Sequence, residues 1–287
     1  METAVQAEAL TKIYPNQRGL PALRDLELTI PTGILFGLVG PDGAGKTTAL
    51  RILSSVMLPT SGRVRVLGYD TRTQPDPVRR RIGYMPQNFS LYPDLTVAEN
   101  LNFFADIQQL SLARKHTRIP EMLRFTRLQD FQSRRAAKLS GGMKKKLALA
   151  CALVHEPDVL ILDEPSTGVD PVSRRELWVI LSAVAEQGVT VLVSTPYMDE
   201  AERCHQVGVL YQGQIMAAGT PDELKQSLPF EILELKASPR KRMRQIAAET
   251  PGVLEWRPVG DTLRLTTAIG GAQTVLRQLS RRLTQDG

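Results

Sequence analysis

The chain has 287 residues, 42% hydrophobic and 23% charged, with a net charge of +6. This composition excludes a long disordered chain, a collagen-like repeat or a coiled coil as the main architecture, and the length admits two domains. No stretch reaches the roughly 18 apolar residues of a membrane span, and the opening METAVQAEAL lacks the basic-then-apolar pattern of a secretory signal, so none is expected.

Cys151 and Cys204 lie in segments that read as helical and are expected to be small core residues. With three histidines and no CxxC, a structural zinc site is not expected. The cysteine usage fits a reducing cytoplasm. Residues 227–287 hold ten Lys or Arg against six Asp or Glu. That excess fits polyphosphate ligands, an anionic membrane face or nucleic acid, without choosing among them.

In chain order, residues 4–10, 22–30 and 63–67 alternate or carry β-branched side chains and read as strands. GILFGLVG at 33–40 is a continuous apolar run, as for a strand covered on both faces. A helix is expected over 46–55, ended by Pro59 and Gly62. Residues 88–138 have helical periodicity and no strand signal, so they read as a helical insertion. Helix 139–154, strand 159–162, helix 173–186 and strand 189–194 follow, implying a largely parallel sheet with covered faces. Residues 207–211 and 214–218 read as a hairpin around Gln212-Gly213. Thr220 and Pro221 have the chemistry of a helix cap and first helical residue. After Pro229, strand 230–236, helix 241–250, a hairpin of 253–258 with 262–267, and helix 272–283 form a small β-α-β-β-α appendage. The expected domains are therefore 1–226, containing the insertion, and 227–287.

Gly40-Pro41-Asp42-Gly43-Ala44-Gly45-Lys46-Thr47 matches GxxxxGK[ST] and sits between a predicted strand and a predicted helix. The glycines let several N–H groups converge on a phosphate, and the helix N-terminus adds its partial positive charge. Lys46 can reach the β- and γ-phosphates, and the Thr47 hydroxyl can ligate Mg²⁺. At 159–162 an apolar strand leads into Asp163-Glu164. Asp163 can hold Mg²⁺ through water, and Glu164 can polarise an attacking water.

Three further motifs carry a resemblance beyond a generic P-loop NTPase. Leu139-Ser140-Gly141-Gly142-Met143 resembles the signature of the ATP-binding-cassette (ABC) ATPases, Gln87 in Tyr84-Met85-Pro86-Gln87 resembles their Q-loop, and Thr167-Gly168-Val169-Asp170 resembles their D-loop. All fall in the family's order, over residues 1 to about 225. The resemblance implies an α/β P-loop NTPase fold with a mixed sheet, an N-terminal antiparallel β part and a helical insertion, here followed by a small α+β appendage. It implies ATP and Mg²⁺ as cofactors. Tyr14 would stack on adenine. Gly40, Asp42, Gly43, Ala44, Gly45, Lys46, Thr47 and Thr48 would hold the phosphates. Thr47, Gln87 and Asp163 would attend the metal, and Glu164, Gln87 and Lys46 would serve catalysis. Ser140, Gly142 and Asp170 would complete the nucleotide site of a second subunit, in a head-to-tail sandwich. Ser140 also has the chemistry of a helix cap that can offer donors to an anion.

GPDGAGKTT, YMPQ, LSGGMKxKLxLAC and DPxSRRELW together resemble the ABC-2-type exporters, in particular the first ATP-binding half of the YbhF-type tandem component. That resemblance implies an ATPase motor driving export through separate membrane-spanning ABC-2 permease subunits. It implies a second nucleotide-binding domain as partner, and a position on the cytoplasmic face of the inner membrane. No specific nucleic acid is expected; the runs Lys144-Lys145-Lys146 and Arg79-Arg80-Arg81 read as solvated charged faces. An alternative is a soluble ABC ATPase acting on ribosomes or nucleic acid. One departure stands out. Pro196 occupies the place of the family's switch histidine, and proline offers neither a side-chain donor nor a backbone N–H. His205, inside a predicted helix, is not expected to replace it. The site is therefore expected to bind ATP but hydrolyse it slowly.

Overall fold

The computed structural model describes residues 2–15, 20–88, 91–236 and 238–284. The chain divides into two compact units, Met1–Pro221 and Asp222–Gly287. The strands of the first unit are β1 (Thr3–Ile13), β2 (Pro21–Pro31), β3 (Leu35–Val39), β4 (Ser61–Val66), β5 (Tyr69–Asp70), β6 (Ile82–Met85), β7 (Val159–Asp163), β8 (Thr190–Thr195), β9 (Gln206–Tyr211) and β10 (Gln214–Gly219). Its helices are α1 (Lys46–Leu53), α2 (Pro75–Arg81), α3 (Val97–Ile107), α4 (Leu112–Phe125), α5 (Gly141–Leu153), α6 (Pro171–Glu186) and the short α7 (Met198–Ala201). A further helix, α8 (Pro221–Gln226), spans the boundary between the units.

Two sheets build the first unit. An antiparallel sheet has the order β2-β1-β4-β5, and a six-stranded sheet the order β10-β9-β3-β8-β7-β6. In the second, only β10 runs antiparallel, to β9. The hairpin that joins them turns at Gln212 and Gly213, both with positive φ, as a two-residue turn with primed twist requires. The apolar runs behave as expected: β3, β7 and β8 are buried at every position.

One core joins the two sheets through α1. Leu10, Leu26 and Ile30 of the antiparallel sheet pack with Leu50, Ile52 and Leu53 of α1 and with Phe36 and Ile161 of the parallel sheet. Each such fully buried side chain contributes about 1.5–3 kcal/mol. The apolar side of α1 thereby fixes where its N-terminus, Lys46, lies.

The sequence reading overlooks α2, β5 and β6. β6 is only four residues long, contains a glycine and follows the arginine run, so no period shows. Its glycine is required by packing: a Cβ on Gly83 would lie 2.3 Å from the Ala152 carbonyl oxygen of α5. The arginine run does more than face solvent, since Arg79 donates to the Ser55 carbonyl at 2.8 Å and Arg81 pairs with Asp158 at 2.8 Å. The lysine run also departs from a solvated face. Lys146 is buried and paired with Glu176, and Lys145 reaches the Gln87 carbonyl at 3.2 Å.

The helical segment carries α3, α4 and two 3-10 turns, Gln129–Phe131 and Ala136–Lys138; residues 89 and 90 of the expected insertion lie outside the described residues. Thr96 and Glu99 form a reciprocal capping box at the start of α3. The fully buried Asn100 accepts from the Tyr92 N–H and donates to the carbonyls of Tyr92, Leu95 and Thr96. Its amide thus satisfies the backbone of the segment that leads from Gln87 into the helices.

Both cysteines are buried, and burial pushes the Cys204 thiol up to about 12. Neither Cys204 nor His205 lies in a helix; both sit in the bend between α7 and β9. The alternation there is too short to specify a helix.

In the second unit, β11 (Phe230–Leu235), α9 (Arg240–Glu249), β12 (Val253–Val259), β13 (Thr262–Ala268) and α10 (Ala272–Thr284) follow one another as β-α-β-β-α. β13 is central between β11 and β12, both antiparallel to it. Met243, Ile246 and Ala247 of α9, Leu263 and Leu265 of β13, and Val275 and Leu279 of α10 make its core.

His155, after α5, donates from Nε2 to the Ile82 carbonyl at 3.0 Å, while its buried Nδ1 has no partner. Burial, seconded by the charge of Arg118 and opposed by the Ile82 bond, holds its pKa below the ordinary 6.5. The unfolded chain therefore takes up this proton before the native state does. The histidine's contribution is complete above about pH 6.5 and is lost as the pH falls below it. We expect Tm to drop between pH 7 and pH 5 more steeply in the wild type than in His155→Gln; superimposable Tm-versus-pH curves would refute this.

Candidate functional site

The site begins where β3 ends. Gly40 follows the strand, and its N–H donates to the Thr195 carbonyl at the end of β8 (3.3 Å). The loop then turns through Gly43 (φ +79°) and Gly45 (φ +108°), conformations that favour glycine. At Gly45 space is a second constraint, because a Cβ would sit 2.5 Å from the Ala22 carbonyl oxygen. Ala44 is buried, and its carbonyl accepts the Gly213 N–H at 2.9 Å. Gly45 caps α1, so the first N–H groups of α1 lie at the loop, as anion binding requires.

Lys46 is only 4% exposed. Its ammonium donates to the carbonyls of Gly40 (2.8 Å) and Pro41 (3.1 Å) and lies 3.4 Å from Glu164 Oε1. Asp42 stands at the solvent edge, its Oδ1 4.0 Å from the same nitrogen. Thr47 follows, half-buried, and Thr48 is buried with its hydroxyl 3.2 Å from the Tyr14 hydroxyl. That contact, with a second to Met57 Sδ at 3.3 Å, ties the Tyr14 ring to α1, and the Lys12 ammonium lies 5.5 Å from the ring centroid.

Asp163 and Glu164 end β7 with different geometries. Asp163 is fully buried; one oxygen accepts from the Ser194 hydroxyl (2.7 Å), and the other, Oδ2, has no partner. Glu164 takes a left-handed φ of +49°, which turns it off the strand. Its N–H donates to Ser194 Oγ at 3.0 Å. Its second carboxylate oxygen accepts from Gln87 Nε2 (2.9 Å) and from the Thr167 hydroxyl (3.2 Å). Lys46 and Gln87, both expected from sequence, thus converge on the Glu164 carboxylate.

Ser194 is not singled out by the sequence, which gives Thr167 only as part of the D-loop motif and Lys145 only as part of a solvated charged run. Lys145 donates to the Gln87 carbonyl, and burial lowers its pKa, against the opposing pull of the Asp163 and Glu164 charges. A serine and a threonine closing the apolar run of β8 are the only sequence signal for Ser194.

Asp163 Oδ2 is a buried carboxylate oxygen without a hydrogen-bond partner, an expensive arrangement. The nearby Tyr84 and Ser166 hydroxyls are likewise buried and unpartnered. Burial, together with the Asp163 charge, raises the Tyr84 pKa. An all-oxygen donor set with an orphaned carboxylate oxygen fits a hydrated hard divalent cation.

A second group gathers at the starts of α5 and α6. Ser140 caps α5, its hydroxyl accepting the Met143 N–H at 3.2 Å. Asp170 caps α6, accepting from the N–H groups of Val172 (3.1 Å) and Ser173 (2.9 Å); the Ser173 amide foremost lowers its carboxyl pKa. The two helix starts touch through Gly142, where a Cβ would fall 2.3 Å from Ser173 Oγ.

Pro196 comes immediately after Thr195, the residue whose carbonyl receives the Gly40 N–H. His205 is elsewhere. Its Nδ1 accepts from the Leu35 N–H at 2.9 Å, and its own N–H donates to the Leu35 carbonyl at 2.8 Å. Leu35 begins β3, and at roughly 3.3 Å per residue this lies about 13 Å from the strand's loop end.

The ABC transporter family profile matches residues 23–167. The "probable multidrug ABC transporter ATP-binding protein YbhF" of Escherichia coli (strain K12) is 44% identical over 268 residues, covering 92% of this chain and 46% of that protein. The chain thus spans about half the length of the YbhF proteins it matches. The "daunorubicin/doxorubicin resistance ATP-binding protein DrrA" of Streptomyces peucetius is 37% identical over 281 residues, covering 96% of this chain and 84% of that one. Among solved structures, a dimeric ATP-binding cassette in a post-hydrolysis state, bound to ADP and Pi, superimposes with a TM-score of 0.69 at 28% identity, covering 75% of this chain and 98% of that one. By its family match and these identities the chain belongs to the ABC transporter family and carries its ATP-binding domain.

Proposed function

We propose that this chain is the ATP-binding and ATP-hydrolysing motor subunit of an ABC-2-type exporter. It would act from the cytoplasmic face of the membrane on separate membrane-spanning permease subunits. The observation that carries the reading is the convergence of Lys46, Gln87 and Glu164 beside the phosphate loop. No helix among the described residues is long and apolar enough to cross a membrane. The names of the relatives, a probable multidrug ABC transporter component and a drug-resistance ATP-binding protein, favour export over the alternative of a ribosome- or nucleic-acid-directed ATPase.

In this reading the N–H groups of 40–47 and the α1 N-terminus bind the β- and γ-phosphates. Tyr14 stacks on the adenine. Lys46 exchanges its carbonyl and Glu164 partners for phosphate oxygens, which carry more charge. Glu164, so released, accepts hydrogen-bond character from the attacking water, and Gln87 orients it. Thr47, Asp163 and Gln87 would hold Mg²⁺, which supplies charge neutralisation on the phosphates. A second nucleotide-binding domain, a copy of this chain or another cassette, would contribute its own Ser140-, Gly142- and Asp170-like groups across a head-to-tail sandwich. Pro196 provides no donor to the γ-phosphate, so turnover is slow.

Lys46→Ala should weaken ATP binding at least about tenfold, the weight of a lost charged hydrogen bond; unchanged affinity in a titration with a fluorescent nucleotide would contradict the phosphate-loop assignment. Ser140→Arg, combined with Glu164→Gln, should still bind ATP but fail to form an ATP-dependent dimer by size-exclusion chromatography. Pro196→His should raise the steady-state ATPase rate, by up to about 10²-fold if it restores one oriented donor. A brisk wild-type rate that Glu164→Gln abolishes and Pro196→His leaves unchanged would sink the slow-site reading. Pull-down of the full chain should recover integral membrane proteins; salt-sensitive RNA capture instead would support the alternative.

A further inference from the structure

Away from the groups already assigned, one polar chain runs through the first unit with no part in the mechanism above. It starts on α6 at Arg174, one turn after Asp170 and next to Ser173, the residue packed against Gly142. Arg174 is held from three directions. Its Nε donates to Glu200 Oε1 at 2.6 Å, its Nη2 to Asp199 Oδ2 at 2.9 Å, and its guanidinium lies 4.6 Å from the centroid of the Tyr197 ring. Glu200 is fully buried, so its carboxylate is costly unless both oxygens are satisfied. The second oxygen accepts from the Thr195 hydroxyl, and that hydroxyl oxygen in turn accepts the Tyr197 N–H at 3.1 Å. Thr195 is also the residue whose carbonyl holds the Gly40 N–H.

We propose that Arg174 is a positioning residue. Through Glu200 and Thr195 it fixes the first glycine of the phosphate loop, and the Pro196 rim beside it, relative to the α5–α6 end that carries Ser140, Gly142 and Asp170. The proposal rests on the sandwich reading above, in which these two ends of one chain serve two different nucleotides. The physical basis is stiffness. A planar guanidinium bound at two carboxylates and over a ring has no slack. A displacement of α6 must break the 2.6 Å bond or carry Glu200 with it. With a proline at 196, no side chain there can donate to hold the strand end, so beyond the β3 and β7 ladders the Thr195 bonds are what tie it to α6.

The test is hydrogen–deuterium exchange of the full chain without nucleotide, read on peptides covering residues 38–46 and compared among wild type, Arg174→Met, Glu200→Gln and, as control, Arg81→Met. The control removes an ion pair of the same unit, that with Asp158. Exchange in the phosphate loop should rise about tenfold in Arg174→Met and Glu200→Gln, the weight of one hydrogen bond to a charged group, and stay at the wild-type rate in Arg81→Met. Arg174→Lys, which keeps the charge but loses the fork, should fall between. In single-turnover assays Arg174→Met should lower the hydrolysis rate while the ATP Kd changes less than about threefold, whereas a merely structural role would lower Tm and leave both unchanged. Phosphate-loop exchange at the wild-type rate in folded Arg174→Met would overturn the proposal. Because the exchange measurement uses no ATP, it decides the Arg174 link even if nucleotide binding, and with it the reading on which the proposal rests, fails.

Discussion

The site depends on the contact between the Lys46 ammonium and the Glu164 carboxylate, two buried charges 3.4 Å apart. At an effective dielectric constant of about 20 their attraction is roughly 5 kcal/mol. Desolvating two ions costs several kcal/mol each, so the net gain is small. A strongly favourable pair would lock the lysine. One near balance can be exchanged for other charged partners at little cost, as the proposed mechanism requires. The two carbonyls that share the ammonium, those of Gly40 and Pro41, hold it inside its own loop.

The rest of the first unit is arranged to bring these two residues together. Lys46 is placed by α1, whose apolar side sits in the core shared by both sheets. Glu164 is placed by β7, buried throughout and parallel to β8. Ser194 of β8 then fixes the backbone of Glu164 and one oxygen of Asp163. A left-handed φ at Glu164 is strain that the Ser194, Thr167 and Gln87 bonds hold in place. The strand ends therefore act as one platform. Gln87, which meets Glu164 on this platform, also has its carbonyl held by Lys145 of α5.

Family membership and chain length pull in different directions. Most of the chain aligns with YbhF, yet it spans only 46% of that protein, whereas it covers 84% of DrrA. The appendage has its own small core of Met243, Ile246, Leu263, Leu265, Val275 and Leu279. Its order, β-α-β-β-α, was readable from period and turn chemistry, because its apolar residues recur at strand or helix spacing and each turn carries glycine or proline. The loop at Val259-Gly260-Asp261 is one such turn, with Gly260 at φ +58°.

What the sequence alone determined is what depends on neighbours along the chain. The glycine loop before Lys46, the cap at Ser140, the apolar runs of β3, β7 and β8, and the turn at Gln212-Gly213 are local matters of φ, capping and period, and they read directly. The short β6 escaped because four residues with a glycine carry no period, and its place is set by pairing with β7 and by the close approach of α5. The bend holding His205 and the inward turn of Lys145 and Lys146 escaped for the same reason. Only the tertiary structure decided that Gln87 meets Glu164 across 77 residues of sequence, that Ser194 holds the Glu164 backbone and the Asp163 carboxylate, and that a buried Glu200 joins α6 to Thr195, whose carbonyl holds the Gly40 N–H. Such contacts join residues with no sequence relation, and packing of the sheets and helices alone brings them within bonding distance.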